Sequence, residues 1–196
     1  MEYGITIPKG EKYLGTISEL MEKYPERCSE IGRQIVNGLL EEYRLIDVRI
    51  GKLDKQFESL GKAHPVCRRL QMIPGVGPII STAIVAASPP ATNFKNGREF
   101  AAWLGLVPKQ SSSGGKARLL GISKRGDVYL RKQLVHGARA VLRVAPKKTD
   151  KRSLWIESVK KRRGWNKASV AMANKNARTI WALMRYENEY VVTNVA

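Results

Sequence analysis

Residues 127–145, DVYLRKQLVHGARAVLRVA, decide the fold class of this chain, because their pattern is helical throughout. Apolar side chains return at steps of three and four residues, which places them on one face of an α-helix. Asp127 opens the stretch, where its side-chain oxygen can cap the first turn. The predicted buried stripe consists of Leu130, Leu134, Ala138, Val141 and Leu142.

The segments on either side of this helix have helical patterns as well. They are REFAAWLGL at 98–106, SLWIESVKKRR at 153–163 and NKASVAMANKNARTIWALMRY at 166–186. We expect the first of these helices to start just before the quoted letters, at Asn96 or Gly97, and the second to end at Gly164. Alternation of apolar and polar residues, the mark of a β-strand, is almost absent from the chain. The sequence therefore predicts an all-α fold.

The chain divides into a connector at 1–25, a helical arm at 26–65, a helical domain at 66–190 and a tail at 191–196. Apolar residues in the arm recur at alternating steps of three and four, which is a heptad pattern typical of a coiled coil or a long antiparallel arm. They are Val36, Leu39, Tyr43, Ile46, Ile50, Leu53, Phe57 and Leu60. The alternative is one amphipathic helix lying on its own domain. Pro65 follows His64 and disfavours a helical backbone there, which predicts a boundary at 61–66.

The helical domain begins with CRRLQMIPGVGPIISTAIVAAS at 67–88. A short helix, a tight turn containing Gly75 and Gly77, and a second helix from about Pro78 have the form of a helix-hairpin-helix. In such an element, glycines let backbone amides approach a DNA phosphate closely. A plain corner between two helices fits the same pattern, so the turn predicts DNA contact only together with the charge of the chain.

The charge of the chain points to a polyanionic partner. Among 196 residues, 35 Lys and Arg against 17 Asp and Glu give a net charge of +18. DNA is the expected partner, although RNA would suit the same charge. No apolar run is long enough to span a membrane, and the N-terminal stretch lacks the apolar segment of a signal peptide, so we expect no membrane partner and a cytoplasmic location.

The sequence offers few groups for metal or acid–base chemistry. Cys28 and Cys67 lack metal-ligand spacing, and we find no convincing cluster of carboxylates, so we expect no metal site and no cofactor in this chain. His64 and His136 are the two histidines of the sequence, which makes a Ser-His-Asp arrangement a poor explanation.

The stretch GLVPKQSSSGGKARLLGISKRGD at 105–127 is a Ser- and Gly-rich loop between helical segments. It lacks the GxxxxGK[ST] pattern of a nucleotide-binding loop. Two interpretations remain: the loop contacts the DNA backbone, or one of its serines attacks a phosphodiester while nearby cations stabilise the developing charge. The candidate cations are Lys116, Arg118, Lys124 and Arg125, with Arg131 on the following helix.

Three runs in order carry a resemblance to a known family: LQMIPGVGPIISTAIVA at 70–86, the stretch from Phe94 to Leu142, and VAMANKNARTIWALM at 170–184. Together they resemble the C-terminal half of transposases of the insertion-sequence family numbered one-hundred-and-ten, in particular its eleven-eleven subgroup. The family serine stands directly before a glycine shortly after the GLVP element. The resemblance therefore implies that Ser113 is the nucleophile, with Ser112 as the second choice.

The same resemblance implies further parts of the machinery. A complete family member has an N-terminal RuvC-like domain with four acids that bind Mg²⁺, a coiled coil that mediates dimerisation, and a structured noncoding RNA that guides it to DNA. The RuvC-like segment has no counterpart in this sequence. We therefore expect a transposase part that acts in DNA transposition together with other components, or a catalytically inactive, truncated nucleic-acid-binding protein.

Overall fold

A computed structural model describes the backbone of residues 6–113 and 116–191, and their side chains except those of residues 112, 113, 116 and 117. The chain comprises two compact units, 1–55 and 56–196. The predicted all-α fold is confirmed: over the described ranges there are eight α-helices and one two-stranded sheet.

The first unit contains helix α1 (Thr16–Lys23) and most of helix α2 (Glu30–Ala63). The guanidinium of Arg33 donates to the carbonyl oxygen of Pro25 at 2.8 Å, which ties the start of α2 to the preceding turn. The Tyr43 hydroxyl donates to the Glu11 carboxylate, and this hydrogen bond raises the pKa of Tyr43 to about 12. Most apolar side chains of the predicted heptad pattern are exposed on α2: Leu39, Ile46, Ile50, Leu53, Phe57 and Leu60.

The second unit holds the remaining elements in one helical packing arrangement. In chain order they are α3 (Pro65–Gln71), α4 (Pro78–Ala87), α5 (Gly97–Trp103), β1 (Pro108–Ser113), β2 (Lys116–Ile122), α6 (Val128–Val144), α7 (Lys151–Arg163) and α8 (Trp165–Tyr186). Helix α8 packs against α5, α6 and α7. Phe100, Leu134, Met172 and Ile180 are fully buried in the resulting core.

Helix α6 forms as its sequence predicts. The Asp127 carboxylate accepts a hydrogen bond from the Leu130 amide at 2.8 Å and so caps the first turn. The whole predicted stripe is buried: Leu130, Leu134, Ala138, Val141 and Leu142. Helix α5 begins at Gly97, one of the two predicted starts, and the Asn96 side chain caps it; α7 ends at Gly164 as predicted.

The Ser- and Gly-rich segment differs from the loop that the sequence analysis predicts. Strands β1 and β2 pair antiparallel, with Ser111 opposite Arg118 and Ser113 opposite Lys116. The physical reason is visible in the sequence: two glycines separate two short segments, which is a strong hairpin signal because tight hairpin turns need residues that tolerate positive φ. The serines therefore lie on a β-strand rather than in a loop.

Helix α7 gives a prediction for stability and its pH dependence. Asp150 accepts hydrogen bonds from the amides of Arg152 and Ser153, each at 3.1 Å, and from the Ser153 hydroxyl at 2.6 Å. The hydroxyl bond is the main cause that lowers the pKa of Asp150. Asp150→Ala should therefore lower the free energy of unfolding by about 1 kcal/mol at neutral pH.

The pKa of Asp150 is lower in the folded state than in the unfolded state. The contribution of Asp150 to the free energy of unfolding is therefore fully present above its pKa in the unfolded state, and it is lost as the pH falls through its pKa in the folded state. Urea unfolding measures the difference in unfolding free energy between wild type and Asp150→Ala. The measurement is made at neutral pH and again well below pH ~4. Asp54→Ala, on an exposed position of α2, is the control. An equal Asp150→Ala difference at both pH values would contradict the prediction.

Candidate nucleic-acid interface

The base of the β-hairpin is fixed by direct backbone packing. Its outgoing segment bonds to the incoming one through Ser123 N to Val107 O at 2.8 Å and Lys124 N to Gly105 O at 3.2 Å. Gly126, with φ +94°, lies so near α5 that a Cβ atom would stand 1.8 Å from the Trp103 carbonyl oxygen. Gly105 meets the Arg125 backbone in the same way. Side chains larger than hydrogen would separate the hairpin base from α5.

Arg131 clamps this junction. Its Nη1 donates to the carbonyl oxygens of Leu104 at 3.3 Å, Gly126 at 3.4 Å and Arg125 at 3.5 Å. The side chain is partly buried, unlike those of Lys124 and Arg125. The structure therefore gives Arg131 a local role in holding the hairpin, and its contact with nucleic acid stays a prediction.

The other predicted residues of the interface lie on the hairpin or directly after it. Arg118 on β2 is exposed opposite Ser111, and Lys124 and Arg125 are exposed at the hairpin base. The backbones of Ser112, Ser113 and Lys116 belong to the paired strands, whereas their side chains lie outside the described residues. The strand register thus places Lys116 opposite Ser113 and Arg118 opposite Ser111, whereas Lys124 and Arg125 follow Ile122 at the base, at the other end of the hairpin from Ser113.

The Gly75–Gly77 turn is shaped by packing. Gly75 has φ +84°, and a Cβ atom there would lie 2.6 Å from the carbonyl oxygen of Gly137 on α6. In return, a Cβ atom on Gly137 would lie 1.9 Å from the Gly75 carbonyl oxygen. Gly77 is exposed and precedes α4, with open space at its Cβ position. Phosphate binding by this turn stays a prediction.

A groove along α8 contains cations that the sequence analysis did not single out. This α8 groove has a volume of about 1150 Å³ and is lined by Arg98, Lys167, Lys175 and Arg178, by Trp155 of α7, and by Pro108 and Ile122 at the hairpin base. On α8 itself, Lys167, Lys175 and Arg178 are separated by eight and three residues, which returns them to one helix face. That spacing is the signal that could have identified them.

The side chains that could bind a metal are spread over the described part of the chain. No group of three or more His, Cys, Asp or Glu side chains gathers there as a metal site. The resemblance assigns Mg²⁺ binding to the RuvC-like domain of complete family members and not to these residues. Cys67 is buried, and desolvation raises the pKa of its thiol. No helix within the described ranges is both long and apolar enough to cross a membrane.

Comparison with known proteins identifies the family. Residues 67–153, from α3 to the start of α7, match the domain described as Transposase IS116/IS110/IS902 family. The chain is 46% identical to a probable family 20 transposase of Pseudomonas aeruginosa over 157 residues, which is 80% of this chain and 46% of that protein. It is 41% identical to the transposase for insertion sequence element IS1111A of Coxiella burnetii over 190 residues, which is 96% of this chain and 52% of that protein.

A third relative, the putative transposase y4pF/y4sB of Sinorhizobium fredii, is 36% identical over 191 residues, or 97% of this chain and 49% of that protein. The chain spans about half the length of the curated relatives it matches. The matched domain contains the hairpin with its serines and cations. The chain belongs to the IS116/IS110/IS902 family of transposases.

Proposed function

We propose that this chain is the DNA-binding part of an RNA-guided transposase and supplies Ser113 as the nucleophile of strand transfer. Family membership supports a role in transposition, and one structural observation carries the assignment to the hairpin. Ser113 ends strand β1 with Lys116 of β2 as its register partner, and the base of that strand is fixed against α5. Positive charge next to the reacting group favours phosphoryl transfer.

The proposed chemistry conserves the number of ester bonds. The Ser113 hydroxyl oxygen attacks a DNA phosphorus, an O–P bond to serine forms, and one P–O bond of the phosphodiester breaks. The released deoxyribose hydroxyl takes up a proton, and the serine hydroxyl gives one up. In the second step another deoxyribose hydroxyl attacks the phosphoserine ester and restores the serine. No nucleotide cofactor is consumed.

Lys116 and Arg118, the cations nearest the serines in the strand register, stabilise the charge that develops during this reaction, and Lys124 and Arg125 at the hairpin base contact DNA farther from the reacting phosphate. Negative charge grows on the phosphoryl oxygens in the transition state, so positive side chains fixed beside them lower the barrier. Lys116 is directly opposite Ser113 in the strand register, and Arg118 is opposite Ser111. We assign these two residues, with Lys124 and Arg125, to phosphate contacts.

The partners of this reaction follow from charge and from the family resemblance. A net charge of +18 supports binding of DNA and of a structured guide RNA. Because the chain spans about half the length of its relatives, the reaction is best assayed with the N-terminal half of such a relative added in trans. That half is the proposed source of a Mg²⁺ site.

A second copy of the chain is the proposed partner of the exposed apolar face of α2. Ile50 and Leu53 are 51% and 45% exposed, and they lie in a heptad pattern that a partner helix can cover. The double variant Ile50→Glu with Leu53→Glu should convert a dimer into a monomer in sedimentation velocity. Val48→Glu is the matched control, since Val48 is 57% exposed but lies outside the pattern. Equal masses for wild type and the double variant would contradict the assignment.

The test of the proposed function is covalent trapping. The chain is incubated with guide RNA, with donor and target DNA, and with the N-terminal half of a relative. Denaturing gels then detect protein–DNA adducts. We expect an adduct with wild type and none with Ser113→Ala. An adduct that persists in Ser113→Ala would contradict the assignment of Ser113, and loss of that adduct in Ser112→Ala would place the nucleophile at Ser112 instead.

The second candidate is a nucleic-acid-binding protein without catalysis. The high positive charge favours it, since contact with phosphates needs no reacting group. It predicts binding whose logarithmic affinity falls steeply with the logarithm of salt concentration. It also predicts no adduct under any condition, and the trapping experiment therefore separates the two candidates.

A further inference from the structure

The α8 groove combines an apolar floor with a cationic rim. Trp155, Val170 and Ile122 are partly buried along the floor, while Lys167 and Arg178 are exposed at its edge. Its volume of about 1150 Å³ exceeds the range typical of pockets for small ligands, about 300–1000 Å³. Such a groove fits an extended chain of charged and flat groups better than one compact molecule.

The cations of the groove have no carboxylate partner among the residues that the structure describes. Every side chain of the lining is neutral or basic, and none of the ion pairs in the described ranges includes Lys175 or Arg178. The Lys175 ammonium lies 4.3 Å from the centre of the Trp155 ring, an aromatic contact that holds it in place but leaves its charge uncompensated.

Crowding of positive charge makes this groove receptive to an anion. Burial lowers the pKa of Lys175, and the neighbouring charges of Arg152 and Arg178 lower it further. Arg152 is itself held in place, because its Nη1 donates to Asn176 Oδ1 at 2.9 Å. A bound phosphate would offset the repulsion between these three cations.

The groove also reaches the base of the hairpin. Pro108 opens β1 and Ile122 closes β2, and both line the groove. The Asn174 side chain on α8 donates to the Leu106 carbonyl oxygen at 3.2 Å, which fixes α8 to the chain entering the hairpin. A strand lying in the groove would therefore lead to the base of the element that bears Ser113.

We propose that the α8 groove binds a single-stranded segment of DNA, with Lys175 and Arg178 contacting its phosphates and the apolar floor contacting its bases. This inference rests on the proposed function, in which a DNA strand is broken and exchanged. Single-strand binding sites combine a cationic path for the backbone with apolar or aromatic surfaces for unpaired bases. A duplex hides its bases and would leave the floor uncovered.

The test is binding of fluorescein-labelled oligodeoxythymidine to the full chain across a salt series. Lys175→Gln combined with Arg178→Gln should weaken binding about tenfold near 0.1 M salt and reduce the slope of log affinity against log salt by about 1.4, since each phosphate contact on a single strand contributes about 0.7. Arg178→Gln alone changes an exposed side chain and should reduce the slope by about 0.7 without affecting folding.

Lys160→Gln is the matched control. Lys160 also lies over a tryptophan, 5.4 Å from the Trp165 ring centre, but its ammonium is paired with Glu157 at 3.0 Å. We expect it to bind oligodeoxythymidine as wild type does.

Unchanged affinity and slope in both groove variants, or a loss confined to duplex DNA, would overturn the inference. If the adduct at Ser113 still forms, the proposed function survives that result. Wild type that binds no DNA and forms no adduct would overturn both.

Discussion

Ser113→Ala is expected to abolish the covalent adduct and to lower strand transfer by roughly 10³-fold or more, because losing the nucleophile of a two-step covalent reaction removes the reaction itself. The variant keeps the backbone that pairs Ser113 with Lys116, so the hairpin should remain intact. Gel assays of recombinant DNA products measure this loss. Ser111→Ala, on the same strand, is the control and should retain most of the activity.

The same variant separates catalysis from binding. A serine hydroxyl is neutral and releases no counterions on contact with DNA, so Ser113→Ala should leave both the affinity and its salt slope close to those of wild type. If Ser112→Ala instead removes the adduct, the nucleophile is the neighbouring serine. Full activity in both single variants would contradict a role for these two serines.

Gly126→Ala is expected to have the largest effect on stability, a loss of at least about 3 kcal/mol in the free energy of unfolding. Two causes act together. The backbone at Gly126 has φ +94°, which residues with a Cβ atom rarely adopt, and that atom would collide with the Trp103 carbonyl oxygen. Because total stabilities are about 5–15 kcal/mol, this variant should be largely destabilised, and strand transfer should be lost with the hairpin base.

The matched control for this variant is Gly121→Ala on β2. A Cβ atom at Gly121 meets nothing within 4 Å, so the substitution should change the unfolding free energy by less than about 1 kcal/mol. Urea unfolding followed by circular dichroism measures both variants. Equal stability of the two would show that the contact between Gly126 and α5 is not as close as described.

The helices were predictable because their signals are local. The stripe of α6 and the caps by Asp127 and Asn96 depend on residues within one or two turns of each other. The hairpin could also be predicted from the sequence, since two glycines separate its strands. The sequence pattern nevertheless predicts a loop, because the run of polar residues in β1 and the adjacent leucines of β2 obscure the alternation that usually marks a β-strand.

The candidate site was less predictable because its parts meet only in the folded chain. Arg131 was expected to contact nucleic acid, but the carbonyl groups that bind its Nη1 come from Leu104 and from residues 125–127. The α8 groove likewise brings three residues together that are far apart in the sequence. Trp155 lies 20 residues before Lys175, and Pro108 lies 67 residues before it. Charge and composition show that such cations exist, but not which of them remain without a carboxylate partner.

The most direct test of the central claim is mass spectrometry of the trapped adduct after digestion with nuclease and trypsin. Cleavage at Lys109 and Lys116 releases the peptide 110–116, which contains all three neighbouring serines. We predict a nucleotide attached to this peptide, with fragmentation placing it on Ser113. A nucleotide attached to a peptide elsewhere in the chain, with 110–116 unmodified in the same purified adduct, would contradict the claim that this hairpin carries the nucleophile.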